Sequence, residues 1–356
     1  MISKISELLK EKKVDGALVS SPANIRYLSG FAGTESYLYL TRERKVILTD
    51  SRYTLQAEEE GKGCEVQTMS RERSYGVMLG ELLREDGVER LGFEENAMLY
   101  GTWNSLWKKS GFGPEHWFML GDSLSELRVI KNEQELQWME KAESIGDAAF
   151  SYILNELKPG VTELEIAAKL EYYMRSHGAE STSFDTIVAS GYHSAMPHAV
   201  PSEKKLEPGD FVTMDFGCRY HGYCSDMTRT VVIGKASEKQ KEVYHVVLEA
   251  QKTALAGLKP GMTCAEGDRL ARDVIEKAGY GQYFGHSLGH SVGLEIHEKP
   301  ALSPKDGHVL RPGMIETVEP GIYIPDFGGV RIEDMVVLTE NGVRNLTHSP
   351  KELIEI

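Results

Sequence analysis

Two hydrophobic periods alternate along the first 124 residues. Short apolar runs bounded by turn residues predict strands at 16–20, 36–40, 45–49, 64–68 and 90–94. Between them, apolar residues return every three or four positions. That spacing predicts helices at the start of the chain (Met1 into Lys13) and at 53–61, 75–84 and 99–109. Strands alternating with helices predict an α/β domain over residues 1–124. A longer helical pattern runs from Leu124 to Leu157, with a break expected near Lys131 and Asn132. Leu136, Met139, Ala142 and Ile145 form one apolar stripe on it, which belongs in a core. This stretch opens a second domain, 125–356.

The second domain repeats itself. LKPGVT at 157–162 returns as LKPGMT at 258–263, each ahead of a helical pattern. PGDFVTMDFG at 208–217 returns as PGMIETVEPG at 312–321, so that Asp215 and Glu319 each lie seven residues after a proline and two before a glycine. A second strand with a second acid follows each copy, Asp226 in the first and Glu333 in the second. The offsets are 101, 104, 104 and 107 residues, so the register drifts only by short loops. The pattern predicts two α-plus-hairpin halves about a pseudo-twofold, and the period is too long for a solenoid.

Composition narrows the class. The 356 residues suggest two domains, and 41% hydrophobic with 26% charged residues is ordinary for a soluble globular protein. No apolar run approaches the roughly 18 residues of a bilayer span. The first residues lack a signal peptide's apolar core and cleavage site. Cys64, Cys218, Cys224 and Cys264 show no CxxC spacing, which argues against a disulfide framework and for a reducing cytoplasm. A net charge of −14 disfavours nucleic acid and anionic membranes as partners.

The repeated acids carry the chemistry. Strand side chains alternate faces, so Phe211, Thr213 and Asp215 share one face, as do Ile315, Thr317 and Glu319. Asp226 shares a face with Thr228 and Thr230, and Glu333 with Arg331 and Met335. Packing about the pseudo-twofold brings four carboxylates together. Four buried anions require protons or cations. Four carboxylates and one imidazole suit two divalent ions, which points to metal-assisted hydrolysis of an amide or related bond. The imidazole is sought in GHSLGHSVGLEIHE at 285–298, where Gly285, Gly289 and Gly293 oppose a plain helix and suggest backbone packed close to something. His290 is the expected ligand and His286 a supporting residue that orients one. His198 and His297 lie just upstream of the two repeated hairpins, placed to polarise a carbonyl or hold a leaving group.

These residues resemble the pita-bread metallopeptidases, specifically prolidase and aminopeptidase P. The resemblance rests on SG at 190–191 with MPHA at 196–199, DFG at 215–217, GYCSDMTRT at 222–230, the stretch 285–298, VEPGIY at 318–323 and GVRIED at 329–334. NIRYLSGF at 24–31 and TDSRY at 49–53 look like that family's N-terminal domain. The resemblance implies an α/β N-terminal domain and an α+β pita-bread C-terminal domain with pseudo-twofold duplicated halves. It implies Asp215, Asp226, His290, Glu319 and Glu333 as ligands of two divalent metals, with Asp226 and Glu333 bridging. Manganese or cobalt is expected, with zinc as a further candidate. Glu319 matches the proton shuttle, His198 and His297 match substrate and transition-state contacts, and Arg331 matches an arginine beside the metals. A metal-bridged hydroxide would attack the carbonyl of an Xaa-Pro bond. A homodimer and proline-containing di- or short peptides as substrates are implied as well.

One departure from the pattern bears on substrate length. Several prolidases carry an arginine soon after the His-Glu-x-Pro segment, expected to bind the dipeptide's carboxylate. Here His297, Glu298, Lys299 and Pro300 are followed by Ala301. The expectation is an Xaa-Pro dipeptidase, with an aminopeptidase P acting on longer peptides as the alternative. A non-catalytic pita-bread binding protein is the remoter one, since such a descendant would typically have lost ligands and none is missing.

Overall fold

The computed structural model describes residues 2–356. Two compact units divide the chain, Met1–Arg128 and Val129–Ile356. The first carries a six-stranded sheet in the order Glu65–Thr68, Lys45–Thr49, Ser36–Thr41, Gly16–Val19, Leu91–Phe93, Trp117–Met119. Pairing is parallel across the helical crossovers and antiparallel among the three central strands. The sheet is buried on both faces, because its strands alternate between two cores. Ala17, Val19, Leu38, Leu40 and Ile47 enter one, and Leu18, Tyr39, Val46 and Leu48 the other.

The opening helix covers Ile2–Glu11, and Met1 lies outside the described residues. The pattern missed a helix and a strand, besides the single 3-10 turn Pro114–His116. Pro22–Ser29 is a short helix whose start is fixed by Ser21 accepting from the Asn24 amide and by proline in the first turn. Trp117–Met119 is a three-residue edge strand, too short to show a period.

The second unit opens with the helix Glu133–Ile153, capped by the reciprocal Asn132–Glu135 box. The helical pattern from Leu124 is thus interrupted between Glu126 and Glu133, where the break was expected. Two matching halves follow. Thr162 with Glu165 caps the helix Glu163–Ser176, and Thr263 with Glu266 caps Cys264–Lys277. The Gly160 amide bonds the Leu206 carbonyl, and the Gly261 amide bonds that of Leu310. Each half then contributes an antiparallel hairpin, Phe211–Phe216 with Met227–Val232 and Ile315–Val318 with Asp334–Leu338. Two apolar cores lie beneath the helices, and the second-half core also takes in Phe211 and Val232 from the first hairpin. Polar contacts also cross between the halves. The Thr213 hydroxyl donates to the Gly329 carbonyl at 3.2 Å, the Thr230 hydroxyl meets both the amide and the carbonyl of Arg331, and the Glu333 amide bonds the Thr228 carbonyl.

Candidate metal centre

Asp215 sits at the end of Phe211–Phe216, opposite Thr228 in register. Asp226 immediately precedes the partner strand. Glu319 follows Ile315–Val318, and Glu333 precedes Asp334–Leu338. Like positions in the two halves therefore deliver four carboxylates to one place, the floor of a cavity of about 640 Å³. His290 reaches the same floor from a short extended segment. Its amide donates to Thr317 Oγ1 at 3.0 Å, and the Glu319 amide donates to the Leu288 carbonyl at 2.8 Å. A side chain at 289 would lie 1.9 Å from the Thr317 carbonyl oxygen, so only glycine allows the strand this close. Gly293 is similarly hemmed in, by the Glu298 carboxylate. Gly285 faces open space, so close packing accounts for two of the three glycines.

The ligand atoms converge. His290 Nε2 lies 3.5 Å from Asp226 Oδ2 and 3.5 Å from Glu319 Oε1. Ligand atoms of Asp226, His290 and Glu333 lie within 4.8 Å of one another. Burial and the neighbouring Glu333, Asp215 and Glu319 charges push the Asp226 carboxyl well above its usual range. Burial and the Glu319 and Asp215 charges do the same to Glu333. Glu319 is pushed up to about 8, chiefly by burial, with Arg331 opposing. Burial and the adjacent His297 lower His290 to about 4, which leaves its imidazole neutral and able to ligate at neutral pH. Asp215 Oδ1 is buried without a hydrogen-bond partner. An orphaned carboxylate oxygen, three carboxyls held above their normal range and a neutral imidazole form a donor set that fits divalent cations.

The other expected residues also line this cavity. His198 and His297 stand on its wall, and the His290 and His297 rings meet edge to face at 4.4 Å. Arg331 is buried and binds Asp215 Oδ2 through Nη2 at 2.5 Å, and its Nε donates to Thr228 Oγ1 at 3.0 Å. The Thr228 hydroxyl donates to Glu333 Oε2 at 2.6 Å. His286 acts at one remove. Its Nε2 lies 2.9 Å from the Tyr323 hydroxyl, which accepts from Arg331 Nη1 at 2.8 Å. Sequence reasoning gave Tyr323 and Thr228 no role of their own. The signals were present, since Tyr323 stands four residues after Glu319 and Thr228 two after Asp226. Glu143 was missed altogether. Its carboxylate is buried behind Asp226, accepts from the Asp226 amide and is pushed up to about 8, chiefly by burial.

Comparison with known proteins gives this geometry a family. The pattern of metallopeptidase family M24 matches residues 137–340, and that of the creatinase/prolidase N-terminal domain matches residues 1–130. The chain belongs to metallopeptidase family M24. An Xaa-Pro dipeptidase of Pyrococcus horikoshii is 42% identical over 354 residues, covering 99% of this chain and 98% of that protein. Among solved structures, an Xaa-Pro dipeptidase from Bacillus anthracis superposes with a TM-score of 0.95 at 43% identity, covering 100% of this chain and 99% of that one. An X-Pro aminopeptidase from Thermotoga maritima superposes at 0.93 with 38% identity, covering 100% and 99%. The C-terminal unit is thus the pita-bread fold of an M24 hydrolase, a family whose chemistry rests on divalent metal. Among the described residues, no helix is long and apolar enough to cross a membrane.

Proposed function

We propose that this M24 hydrolase is an Xaa-Pro dipeptidase that cleaves the peptide bond before proline. The observation that carries the reading is one cavity whose floor gathers four carboxylates and a neutral imidazole and whose lining holds three further histidines, His198, His286 and His297. Its volume is that of a small-ligand site. Phe184, Ile187, Pro197, Val200 and Ile296 give it an apolar side suited to a pyrrolidine ring. The full-length similarity to Xaa-Pro dipeptidases supports the same substrate class.

Asp215, Asp226, His290, Glu319 and Glu333 would hold two divalent cations, manganese first, with cobalt or zinc able to substitute. Bound there, the cations would offset the buried negative charge, polarise the scissile carbonyl and acidify a water. The chain's own groups do the rest. Glu319 takes the proton released as water adds to the carbonyl carbon and returns it to the proline nitrogen as the C–N bond breaks. His198 and His297 donate to substrate oxygens on the open side. Arg331 fixes Asp215 and, through Thr228, Glu333. The unpaired state of all four cysteines fits a cytoplasmic location, and the family resemblance supports a homodimer.

A second reading is favoured by Ala301, which lines the cavity near where a carboxylate-binding arginine was expected. Arg331, the one guanidinium lining the cavity among the described residues, is committed to Asp215. Longer peptides, as taken by an aminopeptidase P, would meet no charge clamp there. Rates with Mn²⁺ on Ala-Pro and on Ala-Pro-Ala-Ala separate the readings. The dipeptidase predicts faster cleavage of Ala-Pro, strong preference for the tetrapeptide selects the second reading, and inactivity on both rejects the proposal.

A further inference from the structure

Outside the residues that line the cavity lies an ion pair that the chemistry above does not use. Lys131 Nζ donates to Glu298 Oε2 at 3.1 Å, and the two side chains are 1% and 5% exposed. Burying both charges is costly, and well-packed apolar residues would serve stability as well or better. The pair therefore needs a reason beyond holding the fold.

Its placement supplies one. Glu298 directly follows His297. The segment from Ser291 to Glu298 leaves the register of the two short strands just after His290, so it lacks a regular ladder of its own. The Glu298 carboxylate reaches back beneath this segment, takes the Glu295 amide at 3.3 Å and packs against Gly293, where an added Cβ would lie 2.5 Å from Oε2. Lys131 is itself anchored. Its amide bonds the Gly313 carbonyl at 2.9 Å, and the next residue caps the helix Glu133–Ile153. A fixed cation thus grips the carboxylate next to the imidazole that stands edge-on to His290.

We propose that Lys131 and Glu298 are positioning residues that set the His297 ring on the cavity wall. The inference rests on the dipeptidase reading only for its kinetic arm. Glu298→Gln, which keeps the side chain's shape, is expected to lower kcat/KM on Ala-Pro about 10- to 100-fold with metal content unchanged. Lys131→Met/Glu298→Gln, made together with Glu316→Gln because Lys131 also faces that buried carboxylate, removes both charges of the pair and leaves none stranded. It is expected to regain the thermal stability that the single change loses without regaining turnover. In a His297→Ala background, adding Glu298→Gln should change the residual rate by less than about twofold. The NMR signals of the His297 ring need no substrate, and they should move in Glu298→Gln. Wild-type turnover in the charge-free pair, a full further loss on top of His297→Ala, or unmoved His297 signals would each overturn the assignment. An inactive wild type with shifted His297 signals would instead reject the dipeptidase reading and leave the positioning role standing.

Discussion

Removing the divalent metal should make this protein's stability depend on pH in a way the loaded protein's does not. Glu319 has an ordinary value of 4.5 and is pushed up to about 8 in the fold. Between those values the folded, metal-free state holds a proton that the unfolded chain has lost. Stability therefore falls as pH rises through that window, the sign for any carboxyl whose folded pKa is raised. At roughly 1.4 kcal/mol per pH unit, this one group removes about 5 kcal/mol between pH 4.5 and 8. Asp226 and Glu333 are shifted the same way, so they add to the loss. A typical domain has only about 5–15 kcal/mol in total, so the stripped protein should be markedly less stable at pH 8 than at pH 5. Bound cations would take the place of the protons, and the loaded protein should show no such decline. Urea unfolding followed by tryptophan fluorescence at pH 5, 6, 7 and 8, after chelation and after reloading with Mn²⁺, measures the gap directly. Parallel curves for the two forms across that range would refute the reasoning, because the cluster would then neither share protons nor need cations.

Three further outcomes are expected. Asp226→Asn should lose metal and activity together while staying folded, because the Asp226 amide keeps its bond to Glu143 and one repelling charge is gone. The loss should exceed the roughly 10- to 100-fold cost of changes outside the ligand set, and surviving hydrolysis would remove Asp226 from the ligands. His297→Ala should lower turnover by about 10²–10³-fold, as for other lost transition-state donors, with metal content unchanged by elemental analysis. Glu316 is buried with both carboxylate oxygens unpartnered, and burial raises its carboxyl well above the normal range, against the opposing charge of Lys131. Glu316→Gln should therefore gain stability relative to the wild type as pH climbs above 4.5, by up to about 1.4 kcal/mol per pH unit. Equal slopes in thermal melts from pH 5 to 8 would contradict that.

The catalytic unit was readable because its acids lie at repeated positions inside apolar strands. Asp215 and Glu319 share a proline-to-glycine frame, and alternation of strand faces sends Thr228 toward the same site as Asp226. The close approach at Gly289 was also legible, since glycine has few other reasons to interrupt a buried segment. Other features left no local trace. The Lys131–Glu298 contact joins residues 167 positions apart, and nothing in the apolar run around Val129 and Ile130 marks its lysine as buried. Glu143 reads as one more polar residue on a helix until the hairpin carrying Asp226 packs over it. The short helix at Pro22–Ser29 and the edge strand at Trp117–Met119 fall below the length at which a period can be counted.

The seam between the two halves has a consequence for how the enzyme should fail. The residues that do chemistry are drawn from both halves and meet only where the hairpins touch. Partial loosening of that contact misaligns every ligand at once. Catalysis should therefore act as an early-warning gauge of the seam. In mild denaturant, activity should vanish while circular dichroism still reports intact helices, and amide exchange should quicken first at Arg331 and Glu333.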